Sequence, residues 1–228
     1  MLREALTYPV RGEAADETLV VGAILAVAAG LLARLGVLAV LALVPVVVLA
    51  GYALAVLRDS TAAESEVPPT ADAPPRFADF RGLAADGARA LAVAIAYLVV
   101  PAVALAVTVS GAAATARPEA LGTTLFVFGA GTVVLFASLA FAYLLPAALA
   151  GVAETGRLRA GVDRGRLLRS ARDGRYFVGW VAAVVVAGLA VVGLGSLATL
   201  GRPGQVVALA GGFYAIVVVA RLVGRASA

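Results

Sequence analysis

The chain contains no cysteine, no histidine and no lysine. Without cysteine it forms no disulfide and offers no thiolate nucleophile, and without histidine it lacks the commonest general base and metal ligand. The usual zinc and haem sites are therefore excluded, and we expect neither a cofactor nor a metal. All eighteen basic residues are arginines. We ascribe this, together with the abundance of alanine, valine and glycine, to a coding bias toward G and C.

Charged residues of both signs are scarce. They make up 14% of the 228 residues, whereas hydrophobic residues make up 62%, and the mean hydropathy is +1.01. Soluble domains carry about 25% charged residues. Several long uncharged segments in so short a chain would leave too little polar surface to cover them in water. The composition therefore indicates a membrane protein.

Six uncharged runs are separated by charged segments. They cover residues 19–33, 35–57, 90–116, 120–153, 176–201 and 204–220. About 20 helical residues cross the hydrocarbon core of a bilayer, so the second run spans easily while the first is short. The first run either forms a tight hairpin with the second, turning at Arg34 and Gly36, or is re-entrant. Both alternatives place Arg34 at a membrane interface, where its long side chain can reach the headgroups.

The arginines are distributed unequally between the two sides that six spans define. Three face one side, at Arg34, Arg117 and Arg202. Fifteen face the other: Arg3, Arg11, Arg58, Arg76, Arg81, Arg89, Arg157, Arg159, Arg164, Arg166, Arg169, Arg172, Arg175, Arg221 and Arg225. Arginines in short loops are retained in the cytoplasm. We therefore predict a multi-pass protein of the cytoplasmic membrane with both termini cytoplasmic. No cleavable signal peptide is expected, because acidic residues precede the first apolar run.

A polar stretch precedes each pair of spans, which suggests three units of an elbow followed by two crossings. In the middle elbow Phe77, Phe80 and Leu83 share one helical face, and Asp86 and Arg89 lie on the other. The third elbow alternates leucines with arginines at 166–172, and the first is broken by proline and glycine. The predicted fold is all-α, with six transmembrane helices and short amphipathic interfacial elbows in a single domain, 1–228. Residues 59–75 should form a proline-rich cytoplasmic loop.

Four motifs together resemble one known family. They read YPVRG at 8–12, GYALAVLR at 51–58, PPRFADF at 74–80 with Asp86 and Gly87, and RYFVGW at 175–180. In this combination, over nearly the whole chain, the sequence resembles the archaeal membrane family known as domain of unknown function 4013, common in haloarchaea. Relatives carry an aromatic pair such as Phe and Trp at the elbow, whereas this chain has Phe80 in the second place. The resemblance implies an archaeal membrane protein and no activity.

The densest basic stretch is the strongest functional candidate. Its seven arginines are Arg157, Arg159, Arg164, Arg166, Arg169, Arg172 and Arg175. Guanidinium groups bind phosphate through paired hydrogen bonds, so these residues are candidates to contact anionic lipid headgroups or an acidic protein partner. The simpler interpretation is that they only hold the loop inside. Few aromatic residues accompany them, so we do not expect nucleic acid.

The spans themselves lack charged side chains, which argues against ion-coupled transport. Thr124, Gly131 and Ser138 recur every seven residues and could line a passive pathway, but small residues more often let helices pack closely, as Gly22, Ala26 and Gly30 also could. Asp79 and Asp86 could serve acid and base chemistry, yet that spacing is typical of a solvated helix face. We therefore predict a non-enzymatic structural component that contacts lipid or a protein partner. The partner can be a second copy of the chain in a homo-oligomer. The alternative is a passive transporter or channel for a small solute.

Overall fold

The computed structural model describes residues 2–62, 73–114 and 121–227, except for the side chains at 109, 111–114 and 121–128. The regular elements in these residues are all helical. The α-helices are α1 (Leu2–Thr7), α2 (Ala15–Leu32), α3 (Leu43–Ala62), α4 (Phe80–Ala114), α5 (Leu121–Thr155), α6 (Arg164–Arg172), α7 (Gly174–Ala198) and α8 (Arg202–Ser227). Three 3₁₀ turns cover Tyr8–Val10, Gly36–Ala42 and Leu158–Val162.

Six segments in this part of the chain are long and apolar enough to cross a membrane. They are Ala15–Leu32, Gly36–Ala62, Phe80–Thr108, Gly129–Thr155, Gly174–Ala198 and Arg202–Ser227. The all-α, six-span prediction is therefore confirmed, and the chain is a multi-pass membrane protein. The spans alternate in direction, so the start of α2 and the end of α8 lie on one side. We call this side, where fifteen of the arginines fall, the arginine-rich end.

The first apolar segment forms one unbroken helix. α2 has 18 residues and is therefore about 27 Å long. It begins before the uncharged run because Asp16 and Glu17 occupy its first turn, where negative charge favours the helix dipole. Arg34 lies in the turn after it, as predicted, and its Nη1 donates to Oε1 of Gln205 at 2.6 Å. Gly36 has a φ of +59°, a backbone conformation that suits glycine.

The middle elbow differs from the prediction. α4 runs without a break through Ala114, so the amphipathic stretch expected to form a separate interfacial helix is the first few turns of a membrane span. Pro101 is the first proline within this helix and lies six turns in, so nothing ends the backbone hydrogen-bond ladder near Asp86. α3 also continues through Ala62, and the loop predicted at 59–75 thus begins after that residue. Residues 63–72 of this loop and the turn at Arg117 lie outside the described residues.

Glycines bring several helices into close contact. A Cβ at Gly51 of α3 would overlap the carbonyl oxygen of Leu83 in α4, and one at Gly87 would overlap that of Val47. Gly22 and Gly30 of α2 meet side chains of α8, which confirms the packing role predicted for that face. The corresponding prediction for α5 is not supported at Gly131, which faces open space, and the side chain of Thr124 lies outside the described part of the chain.

Buried side chains gather at the arginine-rich end. Tyr52, Val56, Val152 and Phe213 are all fully enclosed near this end. At the opposite end apolar side chains are exposed, and Val37 reaches 95% exposure. In a bilayer such side chains contact lipid tails, which are as apolar as the residues themselves. The helices are therefore packed tightly near the arginines and loosely at the other end.

The N-terminal segment is attached to α8 through two arginines. Arg221 is 2% exposed, its guanidinium carbon lies 4.3 Å from the centroid of the Tyr8 ring, and its Nη1 donates to Ser60 Oγ at 3.1 Å. Arg225 forms an ion pair with Glu4 of α1. The charge pattern of the sequence placed both arginines beyond the last span, but α8 extends through them. Arg221 is thus a packed residue rather than a solvated one.

Candidate functional site

Two aspartates define the segment that connects α5 to α7. Asp163 Oδ1 accepts from the backbone nitrogens of Gly165 at 2.9 Å and Arg166 at 3.3 Å, and so begins α6. Asp173 Oδ1 accepts from the backbone nitrogen of Arg175 at 2.8 Å and begins α7. Such capping bonds satisfy N–H groups that have no partner in the first turn of a helix. Both carboxylates are therefore engaged with the backbone.

The seven arginines predicted as a contact site all lie on this connection. We call Arg157, Arg159, Arg164, Arg166, Arg169, Arg172 and Arg175 the arginine surface. Six of the side chains are exposed, whereas Arg166 is half-buried and its Nη2 lies 2.5 Å from Oε1 of Glu154. Arg169 and Arg172, in the last turn of α6, line a surface groove with Leu168. The structure thus presents most of these guanidinium groups outward, where they can meet anions.

Apolar side chains are exposed among these arginines. Leu158, Val162, Leu168 and Phe177 all stand at the surface, whereas Leu167 is buried against the bundle. This confirms the amphipathic elbow predicted for the third unit. A short helix that combines arginines with exposed aliphatic side chains at the end of membrane spans is typical of an interfacial helix.

Next to the arginine surface, α7 supplies hydrogen bonds to the backbone of α5 where Pro146 interrupts the helical ladder. Pro146 has no N–H, so the carbonyl of Ala142 receives no helical bond from it. Trp180 Nε1 of α7 donates to that oxygen at 3.1 Å. One position further on, the Tyr176 hydroxyl accepts from Ala147 N at 3.1 Å and donates to Tyr143 O at 2.6 Å. α7 therefore satisfies backbone groups that the proline leaves without partners, as spans with proline require.

Two tyrosine hydroxyls fix the connection itself. Tyr143 donates to the carbonyl of Ala171 in α6 at 3.2 Å, and Tyr97 of α4 donates to the carbonyl of Gly161 at 2.7 Å. Because each bond joins a span to the connection, the arginine surface is held in a defined place at the end of the bundle.

A partly open apolar cavity lies inside the bundle. It has a volume of about 650 Å³ and is lined by residues of α3, α4, α5, α7 and α8. Its walls include Leu54, Ala94, Leu149, Ala190 and Ile216, and the described lining side chains are all apolar. Small-molecule sites in proteins have volumes of about 300–1,000 Å³. The cavity is thus large enough for a ligand, and its chemistry suits hydrocarbon.

An ionic cluster lies one helical turn beyond the cavity wall on α3 and α4, toward the arginine-rich end. Asp86 of α4 lies 2.8 Å from Arg58 Nη2 and 2.5 Å from Arg89 Nη1, and Arg58 Nε donates to the carbonyl of Ala153 at 2.5 Å. We call Arg58, Asp86 and Arg89 the ionic cap. Both arginine side chains are 40% exposed, and that of Asp86 is 16% exposed. Two guanidinium groups share one carboxylate, so the ionic cap has one net positive charge.

The position of the ionic cap follows from helix periodicity. Residues four apart share a helix face. On α3 this face contains Ala50, Leu54 and Arg58, and on α5 it contains Leu145, Leu149 and Ala153. On α4 it contains Asp86, Ala90 and Ala94. Apart from Arg58, Ala153 and Asp86, the residues of these three faces line the cavity. The three faces therefore lead from the cavity wall directly to the ionic cap.

Sequence reasoning missed the ionic cap. It treated Arg58 and Arg89 as topological charges and Asp86 as a possible partner of Asp79. In the structure Asp79 Oδ1 accepts from Gly82 N at 2.9 Å and caps α4, so the two aspartates have different partners. The four-residue spacing from Asp86 to small apolar residues is the signal that could have indicated its place.

Three serine and threonine hydroxyls of the spans bond within their own helices. Thr108, Ser138 and Ser196 each donate to the carbonyl four residues earlier, at 2.7–2.8 Å. None of these three lines the cavity. These three hydroxyls thus do not line a pathway through the cavity.

Comparison with known proteins gives one match. The family described as "Protein of unknown function (DUF4013)" matches residues 34–200, which contain the cavity walls of α3, α4 and α5, the ionic cap and the arginine surface. No curated protein and no solved structure matches the chain.

Proposed function

The chain belongs to the DUF4013 family of proteins of unknown function, and we propose for it a role without catalysis: a structural component of an archaeal, haloarchaeal-type cytoplasmic membrane that binds anionic lipid headgroups. The binding site is the arginine surface, and both termini lie in the cytoplasm. A protein partner that is acidic, or a second copy of the chain, is the competing ligand.

One observation carries this proposal. The exposed arginines are interleaved with exposed Leu158, Val162 and Leu168 on an interfacial connection that the bundle holds in place. Aliphatic side chains enter the boundary between headgroups and tails, while guanidinium groups at the same depth reach phosphates. A purely cytoplasmic loop needs arginines for topology but gains nothing from exposed leucines. The combination therefore favours a ligand that offers both phosphate and hydrocarbon, as an anionic lipid does.

The orientation follows from the same charges. Fifteen arginines against three is the bias that retains loops in the cytoplasm. Anionic lipids of the cytoplasmic leaflet attract basic segments by about 1 kcal/mol for each arginine near the surface. The arginine surface would thus both fix the topology and gain a ligand in the leaflet that it faces.

The single tryptophan of the chain provides a direct test. Trp180 lies one turn beyond Arg175, so brominated lipids that gather at the arginine surface should quench its fluorescence. In vesicles of mixed composition we expect brominated phosphatidylglycerol to quench more strongly than brominated phosphatidylcholine. The triple variant Arg164→Gln/Arg169→Gln/Arg172→Gln should remove this preference, whereas Arg202→Gln at the opposite end should keep it.

Three results would contradict the proposal. Equal quenching by the two lipids would show that no anionic lipid gathers there. Co-purification of an acidic protein from native membranes, lost in the triple variant but with lipid preference unchanged, would replace lipid by a partner. Reproducible saturable solute flux into vesicles would instead support the passive transporter, although Thr108, Ser138 and Ser196 bond within their own helices and do not line the cavity.

A further inference from the structure

The cavity and the ionic cap together have the chemistry of a lipid site. The cavity offers apolar walls and no described polar side chain, so water gains no hydrogen bonds there and hydrocarbon loses none. Apolar walls gain dispersion contacts from a hydrocarbon chain placed against them. The surrounding bilayer supplies such chains.

The length of the cavity fits one leaflet. On α8 its wall extends from Gly212 to Val223, which corresponds to about 16 Å at 1.5 Å per residue. The hydrocarbon of one leaflet is about 15 Å thick, half the bilayer core. A chain that starts at the arginine-rich end would therefore reach the middle of the membrane where the cavity ends.

The ionic cap has guanidinium donors that can bind the phosphate of a lipid headgroup. Arg58 uses Nε for Ala153 and Nη2 for Asp86, and Arg89 uses Nη1 for Asp86, which leaves other guanidinium N–H groups available on both side chains. Both side chains are 40% exposed. With two forked guanidinium donors, the ionic cap complements the oxygens of a phosphate.

We propose that the cavity and the ionic cap bind one anionic phospholipid, with a hydrocarbon chain in the cavity and its phosphate on Arg58 and Arg89. This site is separate from the arginine surface. It deepens the proposed function, on which it rests for the orientation toward the anionic leaflet, by adding a discrete and saturable lipid to the diffuse contact.

Native mass spectrometry of the delipidated full chain tests the site. Titration with dioleoyl phosphatidylglycerol should give one lipid bound before any further ones, and dioleoyl phosphatidylcholine should bind more weakly. Arg89→Gln should lower the affinity for phosphatidylglycerol on the order of fivefold, since each arginine near a lipid phosphate contributes about a factor of that size. Arg81→Gln is the matched control, because Arg81 is exposed on the same helix two turns away.

A substitution that fills the cavity tests whether a hydrocarbon chain of the lipid binds there. Gly212 lines the cavity, and a Cβ added to it would meet no atom within 4 Å, so Gly212→Leu can be accommodated while it occupies the space. It should lower the affinity for both lipids. Gly188→Leu adds the same side chain to an open position of α7 outside the cavity wall and should bind lipid as the unaltered protein does. A thermal melt of each variant checks that it is folded.

The outcomes separate this inference from the proposed function. Equal binding of the two lipids, or full binding by folded Gly212→Leu, would overturn it even if tryptophan quenching still reports the arginine surface. Competition by millimolar inorganic phosphate as effective as that by the lipid would show a headgroup site without a chain and would overturn it too. Conversely, loss of lipid preference at the arginine surface with intact one-to-one binding would sink only the proposed function.

Discussion

At the scale of single residues, the hydroxyl of Tyr176 replaces a backbone bond of another helix. It stands between Ala147 N and Tyr143 O, two groups that bond directly in an uninterrupted helix. A buried N–H or carbonyl without a partner costs about 1–3 kcal/mol. The side chain of Tyr176 is itself almost fully buried, so water cannot take over its function.

Tyr176→Phe should therefore destabilise the protein by about 1–3 kcal/mol, measured as a lower melting temperature in detergent. Adding Pro146→Ala should recover part of this loss, because alanine restores an N–H and lets α5 close its own ladder. Tyr214→Phe, which removes an exposed bond to Leu6, is the control. A double variant no more stable than Tyr176→Phe would refute the assigned role.

A second residue-scale prediction concerns pH. The hydrogen bond from Arg225 holds the pKa of Glu4 below its ordinary value of 4.5, against the opposing effect of burial. A lowered carboxyl pKa stabilises the folded state above the ordinary value, and this contribution is lost as the pH falls through the lowered one. Attachment of α1 to α8 should thus weaken below about pH 4.5.

Hydrogen exchange of the amides of α1 provides the measurement. Protection, corrected for the intrinsic pH dependence of exchange, should decrease as the medium is acidified below the ordinary glutamate pKa. In Glu4→Gln the protection should be low at every pH and show no such transition. An acid transition of the same size in Glu4→Gln would assign it to another carboxylate.

At the scale of helices, the crossing of α3 and α4 depends on two glycines. A Cβ at Gly51 or Gly87 would overlap a backbone oxygen, which cannot move aside as a side chain can. Gly51→Ala and Gly87→Ala should each cost about 1–3 kcal/mol in the free energy of unfolding, as overpacking does. Gly195→Ala in α7, where the added methyl meets open space, should be neutral or stabilising by up to about 1 kcal/mol.

Melting temperatures of the three variants in one detergent measure the difference. If Gly51→Ala and Gly195→Ala had the same melting temperature, α3 and α4 would not approach closely enough for Gly51 to be required.

The elbows illustrate how far helix boundaries could be predicted. The third elbow becomes the separate helix α6 because Asp163 and Asp173 each cap a new helix start. The second elbow has the same amphipathic pattern, yet a single cap at Asp79 starts one helix that enters the membrane. Both elbows are thus amphipathic, and they differ in the number of aspartates that cap a helix. Caps are short polar residues that are common in loops, so the pattern alone does not indicate which of them is used.

At the scale of the whole molecule, the absence of cysteine makes the orientation easy to measure. A single introduced cysteine is labelled without background. In intact cells a membrane-impermeant maleimide should label Arg202→Cys, whereas Arg159→Cys should react only after the membrane is opened. Both positions are exposed, so accessibility differs only through the side of the membrane. The reverse labelling pattern would invert the proposed topology.

The count of spans could be predicted because charge in a membrane is costly wherever it occurs along the chain. The ionic cap and the break at Pro146 could not. Arg58 and Asp86 are 28 residues apart, and Tyr176 is 29 residues from Ala147. Such pairs depend on which helices become neighbours, and uncharged runs of similar composition do not specify their neighbours.

The backbone of α5 depends on hydrogen bonds from α7, which is synthesised later. α5 leaves the ribosome before the residues that complete its hydrogen bonds, since Tyr176 and Trp180 follow Pro146 by 30 residues or more. Until they arrive, carbonyls near the proline stay without partners in a medium that offers no water. α5 therefore reaches its final form only after the arginine surface has been translated, and that connection has to remain on its own side while α7 inserts.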